Sequence, residues 1–154
     1  MPHSPQHIVA VAGRRVDAAN ATAKQFPLAQ VSTVREAIGR RLAELSAVGL
    51  VASAACGADL LALDAAGSAN VPVRIVLPFA AGKFRETSVV DRPDPAYWGK
   101  LYDRLIADAQ ARDALIELEN QSPSHEAYTL ANERILREAR SWAASFPQNG
   151  SPRL

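Results

Sequence analysis

Apolar residues are distributed along this chain in two rhythms. Four short continuous runs stand out: Ile8-Val9-Ala10-Val11-Ala12, Leu50-Val51-Ala52-Ser53-Ala54, Val73-Arg74-Ile75-Val76-Leu77 and Ala114-Leu115-Ile116-Glu117-Leu118. Runs of this length, rich in β-branched residues, predict strands buried on both faces. Between them apolar positions recur every three or four residues, the spacing of a helix with one buried stripe. Val34, Ile38, Leu42 and Leu45 predict a helix from about Ser32 to about Val48, capped by Ser32 or Thr33 with Glu36 completing a capping box, and stopped by Gly49. An alanine-rich helix is predicted over Gly57–Asn70. Another runs from about Ala96 to Arg112, with Trp98, Leu101, Leu105 and Ala109 inward. The last runs from about Ser124 to Ser145, with Ala127, Ala131, Ile135, Ala139 and Trp142 inward. Residues 14–27 and 80–95 have no clean period and read as loops. The second is long enough for a compact domain to suggest function.

Strands alternating with helices predict an α/β fold: a single-domain, Rossmann-like three-layer sandwich with a mainly parallel sheet. Its core spans about residues 7–145, with polar tails at both ends. In such sheets a ligand sits beyond the carboxyl ends of the strands. Four loops meet there. The second, Ser53-Ala54-Ala55-Cys56-Gly57-Ala58-Asp59, is made of small residues and enters a helix at Gly57. Open N–H groups at such a junction favour an anion, and Ser53 adds a hydroxyl. Asp59, in the first helical turn, either compensates the helix charge or binds a ribose or base. Cys56 reads as a small buried residue or a reactive thiol.

In the first loop, Gly13 allows close backbone approach, and Arg14 or Arg15, with Arg14 preferred, offers a guanidinium to phosphate. The third loop starts at Pro78-Phe79 and carries Arg85, which either closes over a phosphate or pairs with Glu86 or Asp91. In the fourth, Ser122 or Ser124 caps the last helix, Glu126 is the candidate acid or base, and Tyr128 and Asn132 face either the ligand or a partner subunit.

Charge narrows the choice of partner. With 17 basic and 16 acidic residues the formal net charge is +1, too balanced for the phosphate contacts of a dedicated nucleic-acid binder. One cysteine excludes an internal disulfide, and His3, His7 and His125 have no metal-ligand spacing, so neither metal nor cofactor is expected. No apolar stretch approaches the ~20 residues of a membrane span, and the N-terminus lacks the pattern of a signal peptide. A cytoplasmic protein is the expectation.

Strand-Gly13-Arg14, then Ser53-Ala54-Ala55-Cys56-Gly57-Ala58-Asp59-Leu60-Leu61, then Val73-Arg74-Ile75-Val76-Leu77-Pro78-Phe79 followed by Phe84-Arg85, resembles the SLOG superfamily. These are Rossmann-like nucleotide-binding domains related to the DNA-processing protein DprA and to the LOG phosphoribohydrolases. The resemblance covers roughly residues 7–145. In many relatives the second loop reads Gly-Gly-x-x-Gly-Ala-Asp; here Ser53 and Ala54 replace the two glycines. The resemblance implies binding or sensing of a nucleotide or nucleotide derivative. One alternative is a nucleotide N-glycosidase using Glu126; another is a DprA-like nucleic-acid module. The enzymatic relatives carry Pro-Gly-Gly-x-Gly-Thr-x-x-Glu in the fourth loop, and Ala131 stands where that Glu falls. A homodimer is also expected, through either the alanine-rich helix or the final helix with Trp142.

Overall fold

A computed structural model describes residues 5–119 and 122–147. The ends of the polar tails, and Asn120 and Gln121 of the fourth loop, lie outside the described residues. The chain runs β1 (His7–Val11), a 3-10 turn (Leu28–Gln30), α1 (Val31–Glu44), β2 (Ala47–Ala52), α2 (Ala58–Ser68), β3 (Val73–Leu77), α3 (Ala81–Ser88), α4 (Pro95–Ala111), β4 (Leu115–Glu117) and α5 (His125–Ser145). The strands form one all-parallel sheet in the order β1-β2-β3-β4. The expected Rossmann-like α/β architecture is therefore what the chain adopts.

Alternate strand residues feed two cores. Leu50, Ala52, Ile75 and Leu77 pack on one face under α1, α2 and α4. Ile8, Val51 and Val76 pack on the other under Ala131, Ile135, Ala139 and Ala143 of α5. This is the side-chain alternation of a strand applied to a sheet covered on both faces. Trp98, Leu101, Leu105 and Ala109 are all buried, so α4 uses the predicted stripe.

Helix α2 differs from its neighbours, being buried almost all round. Leu60, Leu61, Ala62, Leu63 and Ala66 have no exposed surface, as expected of a helix wedged between α1, α4 and the sheet. Its alanines are therefore not a dimer face. Trp142 is half-buried, with Arg74 4.1 Å from the centroid of its ring.

Three expectations are corrected. Helix α1 begins at Val31 with Gln30 at the cap and no side-chain cap bond, so neither Ser32 nor Thr33 caps it. It ends at Glu44 with Leu45 at the cap, and Ser46 just beyond adopts a left-handed φ of 50°. Gly49 is not the stop; it lies within β2, where a Cβ would meet Ile8 Cδ1 at 2.7 Å and the Trp142 ring at 2.8 Å. Glycine there lets α5 lay its tryptophan on the sheet. The segment 80–95 is only partly loop, since 81–88 form α3 with Phe84 and Ser88 inward. The first N–H of α3, from Ala81, donates to Glu117 Oε2 of β4 at 2.7 Å. A carboxylate 36 residues away thus does the work of a local cap.

Candidate functional site

The loop after β2 sets the site. Gly57 has a φ of +126°, and a Cβ there would lie 2.6 Å from the Arg14 carbonyl oxygen and 2.8 Å from Arg15 Cα and Val16 N. Only glycine tolerates both the conformation and that approach. The approaching chain forms a one-residue antiparallel bridge, Arg15 to Gly57. Val16 N donates to the Cys56 carbonyl at 3.2 Å and Ala58 N donates to the Arg14 carbonyl at 3.0 Å.

Three further donors here are engaged. Cys56 N donates to the Ser88 carbonyl (3.0 Å), Leu60 N to the Ala55 carbonyl (3.4 Å) and Ala55 N to Asp59 Oδ2 (3.4 Å). Asp59 Oδ1 accepts from Gly13 N at 3.3 Å. A carboxylate of the protein itself therefore sits at the start of α2. The loop is a tightly packed turn in which the Ala55, Cys56 and Ala58 N–H groups already have partners within the protein.

The concavity at the strand ends lies beside this turn. It is a cleft of about 360 Å³ lined by Arg15, Ser53, Ala55, Asp59, Pro78, Phe84, Ser88, Tyr128, Ala131 and Asn132. That volume is in the range of small-molecule sites, at the edge of the sheet where such sites are found. Four parts of the chain meet in it: the end of β2 with α2, the end of β3 with α3, the Arg14–Val16 segment, and α5.

Its one cation is Arg15. The guanidinium pairs with Asp91 and donates to Cys56 Sγ at 3.3 Å, while its buried Nε–H has no partner. Its one carboxylate is Asp59, 8% exposed. Burial lifts this carboxyl from its ordinary 3.8 to about 6, against the opposing pull of the Ala55 and Gly13 N–H groups and of the Arg15 charge. On the α5 wall, Tyr128 is 38% exposed. Its ring stands edge-on to Phe79 at 6.0 Å, with Phe79 against Phe84 at 5.9 Å. Tyr128 Oη lies 3.4 Å from Ser88 Oγ. The Asn132 amide follows one turn along the same helix face.

The candidates distribute as follows. Ser53, Asp59 and Pro78 line the cleft. Phe79 is buried behind it as the support of Tyr128. Gly57 and Gly13 hold the turn; a Cβ on Gly13 would collide with that of Ala58. Ala54 and Cys56 are fully buried in the core, and burial pushes the Cys56 thiol up.

Ser124 caps α5, its Oγ accepting from Ala127 N at 3.0 Å. Glu126 is exposed in the first turn of α5 and outside the cleft lining. Arg85 pairs with neither Glu86 nor Asp91. It forms a two-pronged pair with Asp103 of α4 at 2.9 and 3.0 Å and does not line the cleft.

Of the two adjacent arginines it is Arg15 that enters the cleft, while Arg14, the one preferred from sequence, lines a separate depression. Ser88 was hidden from sequence reasoning because it lay in a segment without a visible period. Ala131, the position of the carboxylate in the enzymatic relatives of the family resembled, does line the cleft. Among the described residues no cluster of His, Cys, Asp or Glu is arranged to hold a metal, and no helix is long and apolar enough to cross a membrane. No protein-family model and no curated protein matches this chain.

Chemically the cleft offers one guanidinium, one buried carboxylate lifted to about 6, three hydroxyls, one amide and a supported aromatic ring. That set suits recognition of a ligand with an anionic group, hydroxyls and a planar ring. It lacks a hydrogen-bonded nucleophile–base pair of the kind that covalent catalysis needs.

Proposed function

We propose that this cleft binds or senses a nucleotide or nucleotide derivative, as the SLOG resemblance implies. The observation that carries the reading is a juxtaposition: the arginine Arg15 and a supported, exposed tyrosine ring line one cleft at the ends of β2 and β3. An anion meets the guanidinium. A base stacks on Tyr128, an interaction worth about 1–3 kcal/mol where aromatic platforms have been tested by alanine substitution. Asn132 offers both a donor and an acceptor to the edge of that base. Ribose hydroxyls fall to Asp59 or Ser53.

With the Ala58 and Leu60 N–H groups of α2 already bonded within the protein, Arg15 is the group that would hold the phosphate. It would do so in exchange for, or alongside, Asp91. Binding without turnover fits the presence of Ala131 in the cleft wall.

A thermal-shift panel tests this: nucleoside mono-, di- and triphosphates, cyclic nucleotides, NAD and ADP-ribose against the wild type and Tyr128→Ala. A ligand present at ~100 times its Kd raises stability by about 2.7 kcal/mol, a shift of a few degrees for a domain of this size. A shift that Tyr128→Ala cuts to about half or less, the mark of a tenfold or greater loss of affinity, supports the reading. No shift with any member, or one indifferent to Tyr128, refutes it.

A hydrolytic version is favoured by one observation, the lifted carboxyl of Asp59 in the cleft. A carboxyl near pH 6 suits acid or base work on an N-glycosidic bond, whereas Glu126 lies outside the lining. Ribose-phosphate release by the wild type and its loss in Asp59→Asn, with nucleotide binding retained, is the expected result of that version. Release that persists in Asp59→Asn would end it.

A further inference from the structure

A second concavity, of about 540 Å³, opens between the start of α1 and the start of α2 and shares no lining residue with the cleft. Its wall is apolar, with Phe26 and Val34. Its polar groups are Arg14, Lys24, Gln25 and Gln30. Among the described residues neither Arg14 nor Lys24 has a carboxylate at ion-pair distance, a condition they share with Arg40, Lys83, Arg92, Lys100, Arg137 and Arg140, but these two line one concavity.

Both cations are nonetheless carried on fixed backbone. The Arg14 carbonyl accepts from Ala58 N at 3.0 Å. The turn bearing Lys24 is tied down by Asp17, whose carboxylate accepts from Gln25 N at 3.1 and 3.2 Å and from Phe26 N at 3.0 Å. Asp17 lines an adjoining trough and not the basin itself, and forms no ion pair with Arg14 or Lys24. A third cation, Arg92, lies on that trough, which shares Arg14 and Gln25, anchored there by its bond to the Val16 carbonyl at 2.7 Å.

We propose that this basin is a second anion site, separate from the cleft, that takes a small phosphate-bearing molecule. Two like charges held across one concavity without a counter-ion raise the local potential, and a multivalent anion relieves it. Arg14 and Lys24 make the charge-assisted contacts, and the Gln25 and Gln30 side-chain amides supply neutral donors. The inference does not rest on what the cleft binds.

Pyrophosphate is the probe, titrated calorimetrically at low ionic strength into the full chain and into Arg14→Gln, Lys24→Gln and the double variant. Both side chains are exposed, and circular dichroism confirms that the variants fold. The expected result is binding by the wild type, a loss of about tenfold from each single change, no detectable binding by the double variant, and no effect of Tyr128→Ala.

Absence of wild-type binding up to millimolar pyrophosphate overturns the proposal, as does equal binding by the double variant. Displacement of pyrophosphate by short single-stranded DNA, with steep salt dependence, would instead assign the basin to a nucleic-acid backbone and overturn the small-molecule reading. Nucleotide binding is measured on the same double variant. A shift retained there with pyrophosphate binding lost leaves both sites standing, and failure of either site reads out separately.

Discussion

Asp59 makes a quantitative test of the site's electrostatics. Its carboxyl is buried at the start of α2 and accepts two long bonds, from Gly13 N at 3.3 Å and Ala55 N at 3.4 Å. Burial outweighs those bonds and lifts it from 3.8 to about 6. In the folded protein the proton stays on until about pH 6, while the unfolded chain releases it near 3.8. Between those values the folded state binds more protons than the unfolded one, so this group's contribution to stability falls as pH rises. It is full below the lower value and gone above the upper one.

The separation of about two pH units, at 1.36 kcal/mol each, sets the contribution at about 3 kcal/mol, of which about 2–3 kcal/mol changes between about pH 4 and about pH 7. Asp59→Asn keeps the size and removes the titration. It also leaves one oxygen for two N–H donors, a cost of about 1–3 kcal/mol that does not vary with pH. The decisive quantity is therefore the wild-type-minus-variant difference in unfolding free energy, from urea melts at several pH values. It should fall by about 2–3 kcal/mol from about pH 4 to about pH 7, while every other carboxylate cancels. A constant difference would refute the burial argument. A difference that grows with pH would mean that the carboxylate is stabilised in its charged form.

Three further outcomes follow from the same geometry. Gly57→Ala places a Cβ at 2.6 Å from a carbonyl oxygen at a φ of +126° and should cost at least about 2 kcal/mol in a denaturant melt; a cost near zero would mean that the Arg15–Gly57 bridge is not formed. Cys56, fully buried with its thiol pushed up by burial, should react with a disulfide reagent only as fast as the protein opens, so that mild urea accelerates labelling steeply; rapid labelling in native buffer would contradict its placement. Glu126→Gln, outside the cleft, should leave nucleotide affinity within about twofold of the wild type; a large loss in calorimetry would return Glu126 to the site.

The parts of the fold legible in the sequence were those written as local period. The four apolar runs locate β1 to β4, and the Trp98-to-Ala109 stripe of α4 and the Ala127-to-Ala139 stripe of α5 are buried as read. The parts not legible depend on distant partners. Helix α3 starts where Glu117 reaches across from β4 to the Ala81 N–H, and no window around residues 80–88 contains that carboxylate. Helix α1 ends at Glu44 and the chain turns at Ser46 in a left-handed conformation, while the glycine three residues on is used for packing against Trp142.

The second loop shows the same limit in the site itself. Its small residues and glycine do mark a tight strand-to-helix turn, but whether its N–H groups face a ligand depends on the Arg14 and Ser88 carbonyls, and both of these bind it. Likewise the choice between Arg14 and Arg15 is set by the register of a one-residue bridge. Adjacent residues of an extended segment point to opposite sides, so fixing Arg15 at Gly57 sends one guanidinium to the cleft and the other to the basin.

Strand order explains why the cleft lies where it does. In doubly wound sheets a crevice opens where successive connections leave for opposite faces. Here the strand order never reverses, and the helices that follow β1, β2 and β3 all pack on one face. Only α5, after β4, crosses to the other. The change of face therefore falls at the carboxyl end of the sheet, where the chain leaves β4 and returns over β3 and β2. One wall of the cleft is the turn into α2, and the opposite wall is the first turns of α5, with Tyr128, Ala131 and Asn132. Ligand recognition is thus divided between the two layers: the charged groups Arg15 and Asp59 come from one side of the sheet and the aromatic platform and amide from the other. A ligand spanning both would tie α5 to the rest of the fold, so its binding should slow amide exchange in the first turns of α5 more than in α1. Equal protection of both helices would mean that the ligand contacts the α2 side alone.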